Sequence, residues 1–246
     1  MNITPEHVER YQKLFCKALE LMSSIKFRAT NDEQKLVYVF LFRQVSLLKA
    51  IKALSDIKLY YEGCILLTTL IENYILQKWL IRENKITDYR EFGAVESLPR
   101  LAFFPEEKAE ILQFIEEHNV KRFLRKQGKG VDLLNTKSYQ AEWRNLTRIA
   151  DELIKHETKS EVKELKHAYD FICGHKHSHA YTVLARMTSI VEQDALILYK
   201  ETVYVCVCNL FLIDICCHLQ GLQEQIKALY IEWGTIAKSD LIGLKK

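Results

Sequence analysis

Val203-Tyr204-Val205-Cys206-Val207-Cys208-Asn209-Leu210-Phe211-Leu212-Ile213-Asp214-Ile215 is the stretch on which the fold turns. Its β-branched residues suit a strand. A strand needs partners, however, and no other segment supplies one, so the run reads as the centre of a buried helix from about Tyr199 to Leu219, broken near Gly221. Composition agrees: 8 Gly and 3 Pro in 246 residues are too few turn-formers for many short strands. The fold class expected is all-α.

Outward from that run, the remaining helices follow from apolar spacing and caps. Thr4-Pro5-Glu6-His7 is a helix start, with Thr4 placed to cap and Pro5 at the first helical position, where a missing N–H costs nothing. Asn31 or Asp32 caps a second helix that runs to about Ser55. A third spans about Leu59 to Arg82, with Gly63 interrupting its start. Asn84 to Phe104, with Gly93 and Pro99, reads as an irregular packed loop. Pro105-Glu106-Glu107 opens a fourth helix, which ends in the basic stretch from Lys121 to Lys126. Ser138 to Ile154 is a short helix, and Ser160 caps another that leads into Gly174. Thr182 to Leu198 is ambiguous and is expected to be a long loop, and a last amphipathic helix reaches about Ile236. The chain is expected to form one up-and-down bundle of about seven helices with long central members, residues 1–58 packing as a helical pair on a 59–246 core.

Charge and cysteines narrow the setting. The 35 Lys and Arg barely exceed the 32 Asp and Glu, so net charge alone gives no nucleic-acid footprint. The seven cysteines, odd in number and mostly within apolar runs, fit reduced buried thiols in a cytoplasmic protein better than disulfides or a thiolate zinc site. Met1 to Glu9 has no signal-peptide pattern. Val203 to Leu219 falls short of the roughly 20 residues a membrane span needs, and it carries Asn209, Asp214 and His218, so no membrane partner is expected.

Three groups of residues carry chemistry. The clearest is His175-Lys176-His177-Ser178-His179, three of the eight histidines within one short segment. In a helix, His175 and His179 share a face, where two imidazoles can act as base and donor or bind one metal ion. Glu72 lies in the apolar third helix among Leu70, Ile71, Tyr74 and Ile75. A core-facing carboxylate needs a partner, and an imidazole of the His segment would serve; otherwise Glu72 sits in water at the edge of the stripe. Asp214 and His218 are spaced to pair with each other on one helix face. Lys121, Arg122, Arg125, Lys126 and Lys129 form a basic cluster suited to nucleic-acid phosphates, or to nothing more than a solvated helix end. No P-loop, G-x-G-x-x-G, G-x-S-x-G or H-E-x-x-H appears, which argues against nucleotide-dependent, serine-hydrolase and zincin chemistry. No cofactor is implied.

Two stretches carry a resemblance: Gly63 through Glu72 to Leu80, and Trp143 to Ala150 together with Tyr169 to Ala180. Over roughly Leu59 to Ala180 the chain resembles an uncharacterised bacterial family of helical proteins, a domain of unknown function. That family is similar in turn to the HEPN group, many of whose members are metal-independent ribonucleases of toxin–antitoxin and anti-phage defence. The resemblance implies an Arg and a His four to six residues apart on one helix, meeting in a dimer cleft to cleave RNA through its 2′-OH. This chain has no Arg at that distance before His175, His177 or His179, and only His179 carries across, with Glu72 as its partner.

The expectation is therefore a helical protein acting through a protein partner or a homodimer. The alternatives are a ribonuclease with His179, Glu72 and His175 as catalytic residues and the basic cluster guiding RNA, and a metal-dependent helical-bundle enzyme built on His175 and His179. Whether Glu72, His175 and His179 converge is the geometric test.

Overall fold

The computed structural model describes residues 4–125, 131–156, 161–176 and 191–243, with side chains left undescribed at 174–176 and 238–243. The described residues hold nine α-helices: α1 (Pro5–Ser24), α2 (Asp32–Asp56), α3 (Tyr60–Arg82), α4 (Ile86–Ser97), α5 (Lys108–Glu117), α6 (Leu146–His156), α7 (Glu161–Lys176), α8 (Val191–Cys217) and α9 (Leu222–Gly243). Short 3-10 turns join α4 to α6, and the extended pairing among the described residues is a single bridge between Leu124 and Tyr139. The molecule is all-α.

The decisive run lies inside α8, which is longer than the sequence suggested. It begins at Val191, so the last part of the expected 182–198 loop is helical; residues 182–190 lie outside the described part. At 27 residues α8 is long and apolar enough to cross a bilayer, so the length argument against a span fails. In this fold, 72% of its most apolar window is buried, mainly against α1, α3 and α9.

Caps and stops explain the boundaries. Pro5 opens α1 as expected, and the Asn31 side chain accepts from the Gln34 N–H at 2.8 Å to start α2. Lys58 and Asn84 adopt left-handed backbone, φ +61° and +51°, and end α2 and α3. The turn at Lys58 folds α3 back along α2. His218 and Gly221, φ +48° and +76°, make the corresponding turn between α8 and α9.

Three expectations between α3 and α6 are corrected. The segment 84–104 is not a loop: Ile86–Ser97 is helical, with Phe92, Ala94 and Val95 buried and Phe92 packed edge-on against Phe123 and Trp143, and that burial outweighs Gly93. The fourth expected helix stops at Glu117, where Asn119 turns left-handed (φ +50°), so Lys121 and Arg122 sit in a separate 3-10 turn. Likewise the helix expected from Ser138 starts only at Leu146. Ser160, the expected cap of α7, lies outside the described residues.

Buried apolar side chains form one contiguous cluster. At its centre α3 and α8 approach closely: a Cβ on Gly63 would stand 2.7 Å from the Leu198 side chain. The core also holds a polar trio. Gln44 Nε2 of α2 donates to Gln77 Oε1 of α3 at 3.1 Å and to Asn209 Oδ1 of α8 at 2.7 Å. Asn209 Nδ2 donates in turn to the Val205 carbonyl at 3.0 Å.

Candidate functional site

Glu72 lies half-buried on the face of α3 that meets α7. Its Oε1 accepts a 2.9 Å hydrogen bond from the Tyr169 hydroxyl of α7. Burial, with Cys173 and the Glu72 carboxylate nearby, drives the Tyr169 pKa upward, so the phenol stays protonated and donates. A carboxylate in an apolar helix has thus found a phenol as one of its partners. His175 lies six residues further along α7, in its last turn, with its side chain outside the described part; His177 and His179 lie outside the described residues altogether. The structure brings Glu72 to the helix that carries His175.

The basic cluster is partly committed elsewhere. Arg122 Nη2 contacts Asp88 at 2.7 Å and Glu91 at 2.6 Å, and its guanidinium lies 4.5 Å from the Phe123 ring centroid. That cation fastens the 3-10 turn to α4 and is not free for phosphate. Lys121 is 3.8 Å from Glu116, and the Arg125 side chain is exposed. Lys126 and Lys129 lie outside the described residues. Asp214 and His218 are joined through the main chain, His218 N–H to the Asp214 carbonyl at 2.8 Å, because the helix that would align their side chains ends at Cys217. Among the described residues, no three His, Cys, Asp or Glu side chains gather as a metal site requires.

A concave feature along α8 is one that sequence reading missed. Two adjoining hollows, about 670 and 540 Å³, run along α8 between α7 and α9 and share Glu164 and Tyr204. Their size falls within the range of ligand and peptide sites, about 300–1,000 Å³. The first is bordered by an ionic group from two helices: Glu161 of α7 accepts from the Tyr74 hydroxyl at 2.6 Å and pairs with Lys78, both of α3. Burial opposes ionisation of Glu161, but the Lys78 and Tyr74 hydrogen bonds outweigh it and hold its pKa below the usual glutamate value. Further along, an aromatic ladder covers the α8–α9 contact. Tyr204 stacks on Trp233 at 4.8 Å, Trp233 faces Tyr230 at 6.1 Å, and Phe211 meets Tyr230 edge-on at 6.4 Å. Trp233 Nε1 donates to the Lys200 carbonyl at 3.3 Å. Glu201, on the floor of the second hollow, has its pKa raised by burial, with Lys200 partly offsetting this.

Lys78 was findable. It is a charge inside the apolar run from Tyr74 to Leu80, the same signal that singled out Glu72, and it sits one turn beyond Tyr74 on the same face. The ladder had no such signal, because Tyr204 and Trp233 read as ordinary core aromatics.

Comparison with known proteins yields no family: no family model matches, and no curated protein and no solved structure is significantly similar.

Proposed function

We propose that the protein acts by binding, and that the groove along α8 receives an amphipathic helix from a protein partner or from a second copy of the chain. One observation carries this reading. Among the α8 residues that line the groove, Ile197, Glu201, Tyr204, Cys208, Phe211 and Ile215 recur at alternating steps of four and three, with Lys200, Val207 and Leu212 beside them. That is the spacing a helical partner presents in return, and the stripe runs for about 27 Å at a rise of about 1.5 Å per residue. Phe211 and Ile215 remain 39% and 66% exposed, a large apolar outlay for a face that stays empty. The reading treats the chain as one up-and-down bundle, its first two helices packed on the rest, so that α7 and α9 stand as walls on either side of α8.

The test uses sedimentation of the full chain across a wide concentration range, together with titration of amphipathic helical peptides of heptad pattern. The double substitution Phe211→Glu with Ile215→Glu should abolish self-association or peptide binding while leaving thermal unfolding nearly unchanged, since both side chains are exposed. A chain that stays monomeric and binds no such peptide, or a variant that associates like the parent, would sink the reading.

A second reading keeps the ribonuclease, with His179, Glu72 and His175 in the cleft. The hydrogen bond from Tyr169 to Glu72 supports it by tying that carboxylate to the helix on which His175 sits. It predicts RNA cleavage without added metal, lost on His179→Ala with the fold intact. Absence of cleavage by the purified chain rules it out.

A further inference from the structure

A separate pocket of about 270 Å³ opens between α2 and α4, on a part of the molecule that the groove does not touch. Its walls are apolar: Leu36, Val39 and Phe40 of α2, and Ile86 and the Tyr89 ring of α4. Val39 is 63% exposed at its mouth, and the neighbouring Phe42 is 72% exposed. The rim is cationic, with Lys35, Arg43 and Arg90 set against the carboxylate of Asp32. Lys35 and Arg90 share that carboxylate at 3.0 and 3.3 Å. Arg43 has no hydrogen-bond or ion-pair partner among the described residues, and neither does the half-buried Tyr89 hydroxyl. Burial and the nearby charge of Glu96 push the Tyr89 pKa up, with Arg43 opposing, so the hydroxyl remains a donor. Even with Glu96 counted, cations outnumber acids around the mouth.

An apolar hollow lined by a guanidinium and a phenol that make no hydrogen bond or ion pair to the described residues is matched by a molecule with an apolar tail and an anionic head. We propose that this pocket is a binding site for a small amphiphilic carboxylate, its acyl chain between α2 and α4 and its carboxylate held by Arg43 and Tyr89. The volume lies just under the about 300–1,000 Å³ of drug-sized sites, which favours a chain of medium length over a long one. A free ligand fits better than a bilayer, because the apolar surface is a recess and not a raised face.

The test is calorimetric titration of the full chain with octanoate and, separately, with octanol, which has the same tail and no charge. Octanoate should bind saturably, at least about tenfold more tightly than octanol. Arg43→Ala should weaken octanoate about tenfold and leave octanol unchanged. Tyr89→Phe should weaken octanoate about fivefold; it keeps the ring contacts to Phe40 and Trp143 at 6.3 and 5.7 Å, so the fold is preserved. Equal binding of octanol and octanoate overturns the proposal, as does no saturable binding of either. Adsorption to anionic vesicles without binding of free octanoate assigns the patch to a lipid surface, and loss of self-association on Phe42→Glu assigns it to a second copy; either result also overturns the proposal.

Discussion

Glu161 shows how much one side chain can tie together. It opens α7, accepts from Tyr74 and pairs with Lys78, and so anchors the start of one groove wall to α3. Its folded pKa lies below the unfolded one, so the folded carboxyl binds a proton less readily than the unfolded carboxyl. The resulting stability is present above the usual glutamate range and is lost as pH falls through it. Glu161→Gln should therefore cost about 1–3 kcal/mol at neutral pH and progressively less in acid. Urea unfolding of parent and variant at matched pH values measures this; a difference that stays constant from neutral pH down to acid would refute it. Residue-scale reading of the sequence did part of this work. Glu72 stands out there because a charge in an apolar stripe demands a partner or the stripe's wet edge; an imidazole of the His segment is one partner expected, and those side chains lie outside the described part. Among the described residues Glu72 accepts from Tyr169, 97 residues away, and no spacing rule reaches that far.

At the scale of elements, the polar trio joins α2, α3 and α8. Gln44 supplies both hydrogen bonds from one amide nitrogen. Gln44→Met keeps the volume but strands Gln77 Oε1 and Asn209 Oδ1 in the core, which should cost about 2–4 kcal/mol. Replacing all three residues with Met or Leu should recover most of that loss, because no polar atom is then left unpaired. Denaturation of the single and triple variants decides the matter; a triple variant weaker than the single one would contradict the account. Helix existence was the most legible part of the chain: α1, α2 and α3 follow from caps and apolar spacing. The miss was α4, where Gly93 and Pro99 were read as loop signals. Pro99 in fact falls just past the helix end, and burial of Phe92 against Trp143, a contact from another part of the chain, overrides the glycine.

For the whole molecule, the thiols report on the core. All seven cysteines are among the described residues, and none forms a disulfide. Burial pushes Cys64 up to about 12, and burial with the charges of Glu33 and Asp214 takes Cys217 to about 11. Cys206, Cys208 and Cys216 are likewise raised by burial. Few thiolates exist near pH 8, so a thiol reagent should modify Cys64, Cys206, Cys208 and Cys216 only when the chain unfolds. Mass spectrometry of a timed alkylation in native buffer and in denaturant checks this, and fast native labelling of Cys206 would contradict it. Class and burial at this scale were readable from apolar spacing, the scarcity of Gly and Pro, and the placing of most cysteines in apolar runs. The groove was not, since a cavity is what several helices leave between them and belongs to no stretch of residues.

The notch at Gly63 bears on how such a groove would work. Leu198 sits where any side chain on Gly63 would be, so α3 and α8 cannot slide past one another without emptying a filled space. The bed of the channel is therefore stiff, and its two banks are tied to it by fewer contacts. An incoming helix would meet a fixed ruler of side chains and would adjust only the sides, so selectivity would rest on the length and phase of the visitor more than on any reshaping of the host.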